Sequence, residues 1–307
     1  MIGHLRVKSP WSQLGIFLGL FGGAFIVGSL FMAIVAYSTG MYDGSAPGNL
    51  DWTRPEVVKG MKFNQAISSI IIFFLPAYTL ARIVNGGRET DYLGLKPARV
   101  RSMYVLAIVL ILIAFPFVFW LGEINQLIPL PKWMGDLEQE ATKQMQQFLK
   151  ADNVGVVILN VLIIALLPAI CEEICFRGAL QRIMIQICKN PWIGIIVTSI
   201  LFSALHLQFQ GFLPRMFLGI ILGAIYWYSG SLWPSILAHF VNNAIQVIVV
   251  SYFPVFIEKN PPVPLYLALA SGLFIWGLLW VFKRNTRVTY QQVYEPDELN
   301  RNNQFLA

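Results

Sequence analysis

Residues 154–186 read VGVVILNVLIIALLPAICEEICFRGALQRIMIQ, and this stretch decides the fold. It is apolar over a length that crosses a bilayer as a helix, which takes about 20 residues. Seven further apolar blocks lie around it, at roughly 14–37, 64–81, 103–121, 192–209, 212–229, 232–253 and 263–282. A β-barrel would alternate apolar and polar residues rather than run them together. Composition agrees, with 56% of the 307 residues apolar, 12% charged and a mean hydropathy of +0.62. An ordinary soluble protein is about a quarter charged. A soluble domain of this size cannot hide so much apolar surface, which excludes a soluble enzyme. The expected fold is an all-α polytopic membrane protein with about eight transmembrane helices. The chain divides into 1–153 (three spans and an outer loop helix), 154–253 (four spans), 254–282 (the last span) and a polar, flexible tail at 283–307.

Orientation follows from Lys and Arg, which accumulate in cytoplasmic loops. One side carries Arg6, Lys8, Arg82, Arg88, Lys96, Arg99, Arg101, Arg182, Lys189, Lys283, Arg284, Arg287 and Arg301. The other carries Arg54, Lys59, Lys62, Lys132, Lys143, Lys150 and Lys259, mixed with acids. Both termini are therefore expected in the cytoplasm, as an even span number requires. The net charge of +6 and pI near 9.2 become an insertion signal, and no nucleic-acid partner is needed. Arg6 and Lys8 precede an apolar block far longer than a signal peptide's core, so no cleavable signal is read. Cys171, Cys175 and Cys188 fall in one membrane stretch and make no disulfide framework. In the third loop, 122–152, Trp133, Leu137, Ala141, Met145 and Phe148 share one side at helical spacing. This predicts an amphipathic helix on the outer surface.

The spans contain few ionisable side chains: Glu172, Glu173, Arg177, His206, Arg215 and His239. Each is informative, because a charge in hydrocarbon costs at least about 2.5–3.5 kcal/mol on insertion scales. Arg215 lies near a span end and reads as snorkelling to the surface. The other five gather in three spans. Glu173 and Arg177 are four apart and meet on one helix face as an ion pair. Glu172 projects about 100° away and is free for another task. Phe202 stands one turn before His206. His239 and Asn243 are four apart and point the same way, with Asn242 pointing elsewhere. Glu172 and His206 each lie 17 residues from Lys189 (189 − 172 and 206 − 189), about 25 Å along a helix, hence at one level. His239 is nine residues past Gly230 (239 − 230), roughly 13 Å. The levels agree if the 4–5 hairpin protrudes about 10 Å into the cytoplasm. The site is expected to open on that side.

Such a set has a chemistry. A carboxylate kept from water is a stronger base than one in water. Neutral imidazoles share a proton or bind a metal. His239 and Asn243 can donate hydrogen bonds to a developing oxyanion. The combination suits water activation and attack on a peptide carbonyl. Glu172, His206 and His239 equally suit three-ligand catalytic zinc. Taken singly, each feature has a plainer reading: a buried His packs, a Glu–Arg pair braces a helix, an intramembrane Asn bridges helices. Their coincidence in three spans points to a functional site. Cys171 and Cys175 read as small apolar fillers.

The ordered motifs Glu172-Glu173-Ile174-Cys175-Phe176-Arg177 (EExxxR), Phe202 to His206 (FxxxH) and His239 to Asn243 (HxxxN) resemble the CPBP family of intramembrane proteases. That family includes the type II CAAX prenyl endopeptidases and Abi-like bacterial proteins linked to bacteriocin immunity. The resemblance covers about 154–250. It implies an eight-helix fold with a conical cavity facing the cytoplasm. It implies that Glu172 and His206 activate water, that His239 and Asn243 polarise the carbonyl and hold the oxyanion, and that Glu173 and Arg177 support them. Members are usually catalogued as metalloproteases, with zinc as the candidate ion. The same residues also fit a metal-free, glutamate-based mechanism, and the zinc protease signature HExxH is absent. The implied partners are the lipid bilayer and a membrane-associated peptide or protein, lipidated in CAAX-processing members. The implied location is a bacterial cytoplasmic membrane. Two other classes compete. A proton-coupled transporter would use the buried Glu and His as a relay, although no inverted repeat is visible. A catalytically silent immunity or binding protein would keep the fold as a scaffold.

Overall fold

A computed structural model of the chain describes residues 9–41, 54–257, 261–286, 288–290 and 293. Every regular element among them is helical. Seven helices are long and apolar enough to cross a membrane: α1 (Pro10–Ser38), α2 (Pro55–Asn85), α3 (Ser102–Gln126), α5 (Val154–Cys188), α7 (Phe212–Ser229), α8 (Leu232–Tyr252) and α9 (Leu265–Asn285). Between α5 and α7 runs the shorter apolar helix α6 (Pro191–Ala204), and between α3 and α5 the polar helix α4 (Lys132–Leu149). The eight apolar helices correspond to the eight blocks of the sequence. Phe25, Ile26, Leu30, Leu273 and Trp276 stand exposed on the outside of the bundle, where a bilayer covers them. The N-terminal segment with His4, Arg6 and Lys8, and nearly all of the expected flexible tail, lie outside the described residues. The start of that tail is helical, since α9 runs through Lys283 and Arg284 to Asn285.

Two of the long helices are locally unwound. In α2 and α5, π-helical turns at Ser69–Phe74 and Val161–Leu166 precede Pro76 and Pro168. Proline lacks an N–H and crowds the carbonyl four residues back, and a widened turn relieves both. A third wide turn, Ile174–Gln181, begins directly after Glu173. Within it Gly178 lets the 93–94 loop approach, since a Cβ there would lie 3.1 Å from the Leu93 carbonyl oxygen.

Small residues bring α5, α6 and α7 together. A Cβ on Gly194 would meet the Ile185 backbone nitrogen at 2.7 Å, and one on Gly219 would meet Ser199 Cβ at 2.9 Å. Around α5, Ile174, Phe176 and Ile183 pack on Leu80, Phe202 and Leu232. A second core joins Leu110 and Ala114 of α3 to Ile221 and Ile225 of α7 and Ile275 of α9.

The two ends of the bundle differ. At the end that carries the basic 82–101 connection, Leu232 N donates to Gly94 O (2.8 Å), Ser231 Oγ to Lys96 O (2.6 Å) and Trp233 Nε1 to Leu95 O (2.7 Å). These bonds tie the α7–α8 turn to the loop. At the opposite end α4 lies across the bundle. Its Trp133 ring meets Phe209 edge-on at 5.8 Å, and Glu138 Oε1 accepts from Gln210 N at 2.9 Å. The expected amphipathic helix is therefore present, but Trp133 and Leu137 are exposed and its packed residues cluster near Met145 and Leu149.

Candidate active site

Glu173 sits completely buried where α5 meets α8. Its Oε1 accepts from Arg177 Nη1 at 2.7 Å and from His239 Nδ1 at 2.9 Å. Its Oε2 accepts from Ser235 Oγ at 2.6 Å. Arg177 is equally buried and also donates from Nη2 to Gly219 O at 3.3 Å. Its guanidinium lies 4.4 Å over the Phe202 ring. Every charge in this cluster has a partner, as burial in a low-dielectric core demands. Since a carboxylate only accepts, His239 Nδ1 carries the hydrogen, and Nε2 is the ring atom left for chemistry. That atom stands 3.9 Å from Glu172 Oε2.

Glu172, Phe202, His206, His239, Asn242 and Asn243 line one cavity of about 390 Å³ inside the bundle. Five motif residues from three separate segments, Glu172, Phe202, His206, His239 and Asn243, thus share a single chamber. His206 Nδ1 faces the Phe202 carbonyl at 2.8 Å, which assigns that nitrogen its hydrogen and leaves Nε2 as an acceptor. The Phe202 ring stands edge-on to both imidazoles, 4.9 Å from His206 and 6.0 Å from His239. Asn242 Nδ2 donates to Asn243 Oδ1 at 3.0 Å, which leaves Asn243 Nδ2 available as a donor.

Three placements differ from the sequence reading. His206 is not within a span: α6 stops at Ala204, and His206 lies in the following turn, before Leu207 with its left-handed φ of 54°. Arg215 does not snorkel. It turns inward to bond Gln208 Oε1 at 2.8 Å and the carbonyls of Gln208 (3.3 Å) and Ser203 (3.4 Å), and it lines the chamber. Asn242 lines the chamber as well, rather than pointing elsewhere. Ser235, which the sequence reading missed, was detectable in principle, because it is one helical turn before His239.

The chamber leads into a basin of about 920 Å³ through His206, Arg215, Gln210 and Asn243, which line both. Gln126, Gln139 and Phe256 line the basin, so it lies at the α4 end, opposite the basic connections. Some 25 Å from the Lys189 turn is already most of a bilayer's roughly 30 Å hydrocarbon thickness, so the site sits toward the far end. The sequence left zinc on Glu172, His206 and His239 as one of two alternatives, and no preformed metal cluster supports it. Among the described residues no three His, Cys, Asp or Glu side chains gather as a set able to hold a metal ion. No step below runs through one.

A membrane-spanning helical bundle with a carboxylate, two imidazoles and two carboxamides around one internal chamber has the layout of an intramembrane hydrolase. Residues 154–245 match the family described as Rce1-like, type II CAAX prenyl endopeptidase Rce1-like. That matched region is under a third of the chain, and its similarity supports a CAAX-type intramembrane protease. An uncharacterized 24.3 kDa protein of Escherichia coli is 37% identical over 87 residues, covering 27% of this chain and 40% of that protein. The uncharacterized protein YpbD of Bacillus subtilis (strain 168) is 30% identical over 92 residues, covering 29% of this chain and 44% of its own. The chain thus spans less than half the length of either relative. No solved structure gives a significant match.

Proposed function

We propose that the protein is an intramembrane endopeptidase that hydrolyses a peptide bond of a membrane-associated substrate with Glu172 as general base. The observation that carries this is the approach of Glu172 Oε2 to His239 Nε2, 3.9 Å apart, in a chamber also lined by His206 and Asn243. A water between Glu172 and the Nε2 acceptor of His206 gives a proton to Glu172 as its oxygen attacks the peptide carbonyl carbon. The oxyanion forms beside Asn243 Nδ2 and the His239 ring. The Nδ1 bond to Glu173 holds the His239 ring in that position. The C–N bond then breaks, and the proton on Glu172 passes to the leaving amine. Glu173, Arg177 and Ser235 touch no substrate and hold His239 in place. We take 154–253 as the catalytic unit. The bacterial source of both relatives supports a bacterial cytoplasmic membrane as the location.

The test is digestion of peptide libraries and of a detergent-solubilised membrane proteome by purified protein. Wild type should produce cleavages that Glu172→Ala lacks. Identical patterns from the two would refute the proposal. Solute or proton flux in liposomes that depends on Glu172 and His206, without cleavage, would instead favour a transporter.

A further inference from the structure

We propose that Asn125, on α3 and outside the matched 154–245 region, is a positioning residue that fixes the segment carrying His206. That His206 is catalytic rests on the protease reading above; the hold on its segment does not. The link between α6 and α7, residues 205–211, carries His206 and forms the threshold between chamber and basin, since His206, Gln210 and Gly211 line both. It needs outside support for a physical reason. A helix start leaves amide hydrogens without partners inside the helix, and α7 begins after Gly211, which has no side chain to cap them. Phe212 N donates to Phe209 O at 3.2 Å, and Pro214 has no N–H. Leu213 N donates to Asn125 Oδ1 at 2.7 Å. The same carboxamide donates from Nδ2 to Phe209 O, also at 2.7 Å. Asn125 is 3% exposed, so water hardly competes for either bond. One side chain thus caps α7 from another helix and grips the link three residues past His206.

Asparagine suits this task, because one rigid plane offers an acceptor to an N–H and a donor to a carbonyl. Aspartate offers only acceptors when ionised. Other contacts support the link. Ser203 Oγ donates to Phe212 O at 2.7 Å and ties the link's two ends together. Arg215 Nη2 donates to Gln208 Oε1 at 2.8 Å. From α4, Glu138 Oε1 accepts from Gln210 N at 2.9 Å, but this bond is exposed, whereas the Asn125 carboxamide is buried. His206 is anchored on its near side by α6, where Nδ1 faces the Phe202 carbonyl at 2.8 Å and the two rings meet edge-on. With α6 on one side and Asn125 on the other, the imidazole has a fixed direction in the chamber.

Histidine carbethoxylation tests this. Diethyl pyrocarbonate is applied to the purified full chain in detergent, as wild type, Asn125→Ala and Asn125→Asp. Mass spectrometry follows His206 and His239 in the same molecules, with N-acetylhistidine added as a dose standard. The aspartate variant keeps the acceptor for Leu213 N and loses the donor to Phe209 O. One buried hydrogen bond is worth a factor of about five in a local equilibrium. His206 in Asn125→Asp should therefore react about fivefold faster than in wild type, and in Asn125→Ala faster still, with His239 unchanged in both. A merely structural Asn125 would lower the melting midpoint and speed both histidines together, or leave both at the wild-type rate, and either result overturns the proposal. If Asn125→Ala does not fold, Asn125→Asp decides; failure of both to fold means a general structural role and overturns it as well. Labelling needs no cleavage, so the expected pattern in a protein that cleaves no peptide sinks only the protease reading. Unchanged His206 reactivity in an active enzyme sinks only the role of Asn125.

Discussion

Arg177 shows how much one residue holds at this site. It spans from Glu173 (2.7 Å) to the Gly219 carbonyl (3.3 Å) and covers the Phe202 ring. Truncation leaves the Glu173 carboxylate buried with a missing charge partner, and broken buried pairs cost about 3–5 kcal/mol. Arg177→Ala is therefore expected to lower the unfolding midpoint sharply in detergent. An unchanged melting curve would remove Arg177 from its supporting role. The pairing itself was legible in the sequence, because a spacing of four fixes two side chains on one helix face. The third and fourth members, His239 and Ser235, were not assigned to Glu173, because they come from α8 and nothing local joins them to α5.

Between elements, α5 and α7 are joined by a short ladder. Arg177 and Gln181, one turn apart, donate to the carbonyls of Gly219 and Gly223, also one turn apart (3.3 and 3.1 Å). Glycine is required on α7, since a Cβ on Gly223 would come 2.5 Å from Gln181 Oε1. On α6 the demand is stricter. A Cβ on Gly194 would meet Ile185 backbone atoms at 2.7 and 2.8 Å, and backbone cannot swing aside. Gly194→Ala is expected to cost about 1–3 kcal/mol through overpacking, with Gly223→Ala milder because a side chain can yield. Thermal melting of the two variants side by side checks the order. The length of α6 was misread from sequence. Leu205 and Leu207 are as apolar as the residues before them, and hydropathy does not register a turn made by a left-handed residue.

Over the whole molecule, the two ends are built differently, with hydrogen bonds to the 94–96 loop at one and the basin beneath α4 at the other. Ser231 serves the first end twice, by donating to Lys96 O (2.6 Å) and by capping α8 through Trp233 N (3.3 Å). Ser231→Ala is expected to cost about 1–2 kcal/mol, as for the loss of a helix cap. Thermal melting of the variant in detergent checks this, and an unchanged midpoint would mean that neither bond contributes. By itself the sequence determined the membrane class, the eight apolar helices and the motif residues. Those follow from length, hydropathy and spacing of three or four, all of which are local properties of one helix. The tertiary structure alone decided that Arg215 turns into the chamber, that His239 hangs from Glu173 and that the chamber meets the α4 end. Each depends on which faces of different helices pack together and where a helix stops. Contacts between segments 40 to 70 residues apart, such as Glu173 to His239 (|i−j| = 66), leave no periodic trace in the chain.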